Sequence, residues 1–237
     1  MNPTRRSAVF AGVFFIVAAV AAIAGLALYD PVLSDSRFIV DGSADDTRVL
    51  LGALCELILA ISVIGTAVTL YPIVKRASEG IALGYVAGRV SEAVLIVVGI
   101  ISLLSVVTLG QASTAAEASL LTTGEALVAI HDWTFLFGPG FAIGVNTLLL
   151  AYLMYRSELV PRAIAVTGLV GGPLIFASSI AVLFGVYEQV SVWGSLAAIP
   201  VFAWEMSLAV WLIVKGFREP ASEPAPTRRA GLEPLPA

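Results

Sequence analysis

The stretch IALGYVAGRVSEAVLIVVGIISLLSVVTL, Ile81 to Leu109, holds 29 residues and only two charges, Arg89 and Glu92. At 1.5 Å of rise per residue a helix of this length covers about 43 Å, more than the roughly 30 Å of a bilayer's hydrocarbon core. In lipid every backbone amide must be satisfied within its own segment, so the stretch reads as a membrane-spanning helix. Its surplus length implies tilt, a kink or emergence beyond the interface. Its two charges need a reason of their own.

Five further stretches share this character: Ala8–Leu28, Val49–Val74, Leu127–Tyr155, Ala163–Val186 and Val192–Val214. None alternates polar with apolar residues as a membrane barrel strand does. The composition agrees, with 59% apolar and 13% charged residues among 237. A soluble protein is about a quarter charged, so a soluble enzyme is excluded. The fold class is therefore all-α, a polytopic bundle of six transmembrane helices. It occupies residues 1–218, and the proline-rich remainder, 219–237, reads as a disordered tail. The apolar run Ala8–Leu28 is longer than the roughly 7 to 15 residues of a signal-peptide core, and so is taken as the first span.

Basic residues set the orientation. Arg5, Arg6, Lys75, Arg76, Arg156, Arg162, Lys215, Arg218, Arg228 and Arg229 fall on one side if the spans alternate, and only Arg37 and Arg48 on the other. Both termini are expected in the cytoplasm, which makes the chain a multi-pass membrane protein. Its first partner is the lipid bilayer.

Inside the spans Glu56, Arg89, Glu92, His131, Asp132, Asn146 and Glu205 stand out. An ionised side chain facing lipid at mid-bilayer costs about 2.5 to 3.5 kcal/mol or more, so these groups are expected to face inward, paired or neutralised. Glu92 and Glu205 both lie about ten residues from the basic side, roughly 15 Å deep. Arg89 and Glu92, three apart, share a helical face. Glu56 lies in the outer third of span two, while His131 and Asp132 begin span four from outside. Three glutamates against one arginine leave an excess of negative charge, for which a proton, a small cation or a basic ligand would compensate. A buried ion pair that fixes helix register is the plainer alternative.

Other features carry less. The glycine pairs Gly84/Gly88, Gly140/Gly144 and Gly168/Gly172 permit close helix approach, and a homo-oligomer stays open. Gly138-Pro139-Gly140 should kink or break span four. Asp41 to Asp46 lacks the spacing of an EF-hand and reads as a cap for span two. The single cysteine, Cys55, reads as a packing thiol, and the single histidine, His131, leaves at most a weak metal ligand. Hydrolase, zinc-protease and nucleotide-binding motifs are absent, no cofactor is implied, and no basic domain suggests nucleic acid.

The segments LGYVAGRVSEAVL (Leu83 to Leu95), HDWTFLFGPGFAIGVNTLLLAYLMYRSELVPRAIAVTGLVGGP (His131 to Pro173) and WEMSLAVWLIVKGF (Trp204 to Phe217) resemble the bacterial membrane family catalogued as domain of unknown function 4386. The resemblance implies a six-span membrane protein and transfers no activity to any residue. The segments beginning at Asn146 and Glu205 also align with each other, an aromatic (Tyr152, Trp211), a base (Arg156, Lys215) and a proline (Pro161, Pro220) following at equal spacing. Such spacing is compatible with a three-plus-three repeat.

Three functions are compatible with these residues. The first is permeation or binding of a proton, cation or small basic molecule at Glu56, Arg89, Glu92, Asp132, Asn146 and Glu205. An intramembrane enzyme using His131, Asp132 and Glu56 is the second. An assembly or membrane-stress protein, in which the charges are only structural, is the third.

Overall fold

The structure, a computed structural model, describes residues 3–41, 44–112 and 116–218. The expected tail 219–237, with Arg228 and Arg229, lies outside them, as do Gly42 and Ser43 of the aspartate-rich loop. Among the described residues the regular elements are all helical: α1 (Pro3–Ser34), α2 (Phe38–Asp41), α3 (Asp46–Val74), α4 (Glu79–Ala112), α5 (Glu117–Phe135), a π-helical turn (Leu136–Ala142), α6 (Ile143–Ser157), α7 (Arg162–Leu183) and α8 (Val192–Val214). Six of the helical stretches are long and apolar enough to cross a membrane, α5, the π turn and α6 together forming the fourth.

The spans close into a ring in chain order. α1 packs on α3, α3 on α4, α4 on the α5–π–α6 span, α6 on α7, α7 on α8, and α8 back on α1. Each span turns large apolar side chains outward, among them Val20, Ile61, Val94, Val170 and Val210, all more than half exposed. An apolar exterior of this extent is what lipid requires and water would not tolerate. α6 and α7 approach closely, and a Cβ on Gly172 would stand 2.8 Å from the Gly144 carbonyl oxygen. Two glycines facing each other allow the backbones to touch.

The apolar interior is divided in two. One core, around Phe15, Leu70, Tyr85, Leu150, Trp204 and Leu208, fills the half of the bundle that carries the chain termini. The other, around Tyr29, Val49, Ile96, Leu103 and Val106, fills the opposite half. On α4 the first core ends near Val86 and the second begins at Ala93, and Arg89 and Glu92 fall in the interval. The charged pair thus lies at mid-depth, between two apolar plugs.

Span four differs from its sequence reading in two ways. The helix begins at Glu117, not near Leu127, because an acidic first turn and a run of helix-forming residues extend it beyond the apolar stretch. His131 is therefore well inside α5 and only 3% exposed, where a position at a wet helix start was expected. Nor does Gly138-Pro139-Gly140 break the chain. Proline lacks an amide proton and crowds the preceding turn, and here the helix absorbs it by widening to π geometry over Leu136–Ala142.

Candidate functional site

Arg89 is the hub of the mid-depth cluster. Its Nη1 donates to Glu92 Oε2 at 3.2 Å and its Nη2 to Glu205 Oε1 at 3.0 Å. Nε donates to the Tyr85 hydroxyl at 3.3 Å, one helical turn earlier. The Tyr85 hydroxyl in turn lies 3.2 Å from Thr66 Oγ1 on α3, which donates to the Val63 carbonyl. On the far side of Glu92, Asn146 Nδ2 of α6 donates to Oε2 at 2.7 Å. The guanidinium also stands 5.7 Å from the Phe15 ring of α1, within cation–π range. Five of the six spans contribute, and only the span formed by α7 is absent.

Every polar member except Glu205 is nearly inaccessible: Arg89 and Glu92 are 3% exposed and Asn146 fully buried. A planar guanidinium supplies five donors in a fixed fork, which suits it to serve two carboxylates and a hydroxyl at once. Burying these charges is costly, and the cost is offset only when each keeps its partners. The ring topology makes this pairing possible. Spans three and six stand opposite one another, so the Arg89–Glu205 contact crosses the centre of the bundle.

Glu56 belongs to a second, outer group. Burial of its side chain is nearly complete at 8% exposure, and among the described residues it makes no ion pair. A small gap of about 10 Å³ is lined by both Glu56 and His131. The His131 ring packs edge-on against Tyr29, centroids 5.7 Å apart, and stacks on Phe135 at 6.1 Å. The buried Tyr29 hydroxyl has no hydrogen-bond partner. His131 Nδ1 reaches Asp132 Oδ1 only at 3.5 Å, a long contact, and the Asp132 side chain is 64% exposed.

The two groups meet in a cavity of about 100 Å³. Its wall includes the side chains of Glu56, Arg89, Glu92 and Glu205, closed elsewhere by Ala18, Ala22 and Pro139. That volume is enough for a few water-sized occupants. The structure thus brings Glu56, Arg89, Glu92 and Glu205 to one space and sets Asn146 directly behind Glu92. Asp132 is not among them; it lines a separate cleft with Asp35 and Glu125 at the opposite end of the bundle from the termini. Among the described residues no three His, Cys, Asp or Glu side chains converge as a metal ligand set.

Sequence reasoning passed over Tyr85, Thr66, Phe15 and Tyr29. Tyr85 carried a usable signal, since it precedes Arg89 by one helical turn on the same face. The others had none, because their role depends on which spans are neighbours.

The fold and the site define a class: a six-span α-helical membrane protein with a charged cluster and a small cavity at mid-depth. The chain matches the family described as domain of unknown function DUF4386 over residues 10–216, and it belongs to that family. Comparison with curated proteins and with solved structures gave no match.

Proposed function

We propose that this protein binds, and passes through the bundle, a proton or a small cation at the carboxylates of the central cavity. One observation carries the reading. Three carboxylates, Glu56, Glu92 and Glu205, face one cavity with a single guanidinium, Arg89. With all four ionised the cavity would hold two uncompensated negative charges in a low-dielectric interior, and protons or a cation are the simplest compensation. Arg89 engages Glu92 and Glu205, so Glu56 is the exchangeable member. It also stands where the central cavity meets the gap beside His131, on the way to the outer end.

In this reading the positive-inside distribution puts both termini in the cytoplasm of a bacterium, with the chain in its inner membrane and Asp132 in the outer vestibule. The test is flux. Full-length protein in proteoliposomes, with a pH-sensitive or a sodium-sensitive dye inside and an imposed potential, is expected to pass protons or sodium ions above the level of empty vesicles, and Glu56→Gln is expected to abolish that flux. The proposal is overturned if the native protein passes neither ion, or if Glu56→Gln leaves the flux unchanged.

A second reading has its own support. The fork of Arg89 is well satisfied by Glu92, Glu205 and Tyr85, as a register-fixing ion pair would be. It predicts that apolar replacement of Arg89 and Glu92, with Glu205 as their third partner, preserves the protein's role in the cell.

A further inference from the structure

A cavity of about 590 Å³ lies at the end of the bundle where the described residues begin and end, away from the central cluster. Five of its lining residues are cations: Arg5, Arg76, Arg156, Lys215 and Arg218. They come from four separate places in the chain, the start of α1, the turn after α3, the end of α6 and the segment that follows α8. A bias of basic residues toward one membrane face explains why they share an end of the bundle. It does not require them to converge on one cavity, where like charges repel.

Three of the five are held by contacts that leave the positive charge uncancelled. Arg5 donates from Nη1 to the Leu212 carbonyl at 2.7 Å and from Nη2 to the Ile213 carbonyl, capping the last turn of α8. Arg156 donates to the Tyr152 hydroxyl at 3.1 Å. The Arg218 guanidinium stands 5.4 Å from the Trp211 ring, and its backbone amide donates to the Leu159 carbonyl at 2.8 Å. Among the described residues none of the five forms an ion pair with a carboxylate, whereas Arg162, a few residues from Arg156, is paired with Glu158 at 2.6 Å. Ser157 also lines the cavity, its hydroxyl donating to the Leu153 carbonyl at 2.6 Å. The floor is apolar, from Ile73, Leu159 and Phe217.

We infer that this cavity binds a phosphate-bearing anion at the membrane surface. Arginine forks match phosphate oxygens in pairs, and an apolar floor suits the glycerol or acyl stem next to a lipid phosphate. Basic pockets between membrane helices are a known means of holding acidic headgroups. The same cations would take the phosphate of a soluble compound, so the shared chemistry is the phosphate group and the source is for experiment to decide.

The test uses the full chain in a neutral detergent, with two probes. Native mass spectrometry reads retention of phosphatidylglycerol against phosphatidylcholine, and thermal unfolding reads stabilisation by inorganic pyrophosphate. Two variants remove charge without removing a structural contact seen here, Arg76→Gln and Arg76→Gln with Lys215→Gln. The control is Lys75→Gln, which removes the same charge from a side chain that lies over the Tyr71 ring and outside the cavity. Each cation contributes about 1 kcal/mol near a charged headgroup, so affinity is expected to fall about fivefold per substitution, with the control unchanged. Retention of phosphatidylglycerol assigns the site to a lipid, and stabilisation by pyrophosphate alone assigns it to a soluble phosphate compound. Retention of neither probe overturns the inference. So does an equal loss in Lys75→Gln, which would mean diffuse surface charge in place of a site.

Discussion

Arg89 on span three and Glu205 on span six meet across the centre of the bundle, Nη2 to Oε1 at 3.0 Å, although 116 residues separate them in the chain. The contact ties opposite sides of the ring together, and Arg89 holds Glu92 on its own helix with the same guanidinium. Arg89→Met would leave two carboxylates facing each other without their cation. Removing one partner of a buried pair costs about 3 to 5 kcal/mol, so thermal unfolding in detergent should show a marked loss for Arg89→Met. The triple variant Arg89→Met, Glu92→Leu, Glu205→Leu should recover most of it, because no charge is left unpaired. A single variant as stable as the native protein would mean that the cluster is open to water or neutralised by other means.

Gly88 makes room for the amide that holds Glu92. A Cβ at this position would stand 2.0 Å from Asn146 Oδ1, an overlap relieved only if the Asn146 amide swings off Glu92 or α4 and α6 separate. Gly88→Ala is expected to cost about 1 to 3 kcal/mol, in the range of overpacked cores. Gly84→Ala, one turn earlier on the same face, meets only Leu149 Cδ1 at 3.7 Å. It should be neutral or slightly stabilising, since alanine is the better helix former. Comparison of the two unfolding midpoints checks the contrast, and equal effects would show that Asn146 is free to move aside.

How much of this was legible in the sequence depends on which physical constraint spoke. The six spans followed from the length and apolarity that lipid imposes, and the depths of Glu92 and Glu205 followed from helical rise. Asn146 and Glu205, placed in register by the local alignment of their segments, do meet the same pair, one on Glu92 and one on Arg89. Ten residues on, Arg156 and Lys215 line the same terminal cavity. What stayed hidden needed knowledge of neighbours. The inward place of His131 depended on α5 beginning at Glu117, where the apolar signal is weak, and the parts of Phe15 and Thr66 depended on the ring closing in chain order.

Two buried tyrosines should respond oppositely to loss of their hydroxyls. Tyr85 Oη accepts from Arg89 Nε and is paired with Thr66, so Tyr85→Phe is expected to cost about 1 to 3 kcal/mol, as for hydrogen bonds to charged groups. The Tyr29 hydroxyl is buried without a partner, and Tyr29→Phe removes a desolvated polar group that earns nothing in return. Its stability should stay within about 0.5 kcal/mol of the native value or rise. A large loss for Tyr29→Phe would place a hydrogen bond at this hydroxyl, with Glu56 a candidate acceptor.

The central cavity can be filled without touching a charge. Ala22 of α1 lies in its wall, and Ala22→Leu would occupy much of the space between Glu56 and the Arg89 cluster. If the cavity were only an unfilled void, filling it should stabilise the protein. At about 24 cal/mol per Å³ a void of about 100 Å³ is worth at most roughly 2 kcal/mol. Ion flux would then be indifferent to the change. If the cavity holds a hydrated proton or a cation against its carboxylates, the leucine displaces that occupant and leaves the charges desolvated. The expected outcome is therefore loss of flux in proteoliposomes together with a lowered unfolding midpoint, while Ala22→Gly keeps the flux and costs only the roughly 1 kcal/mol of a glycine within a helix. A variant that is more stable than the native protein and still conducts would remove the cavity from the path.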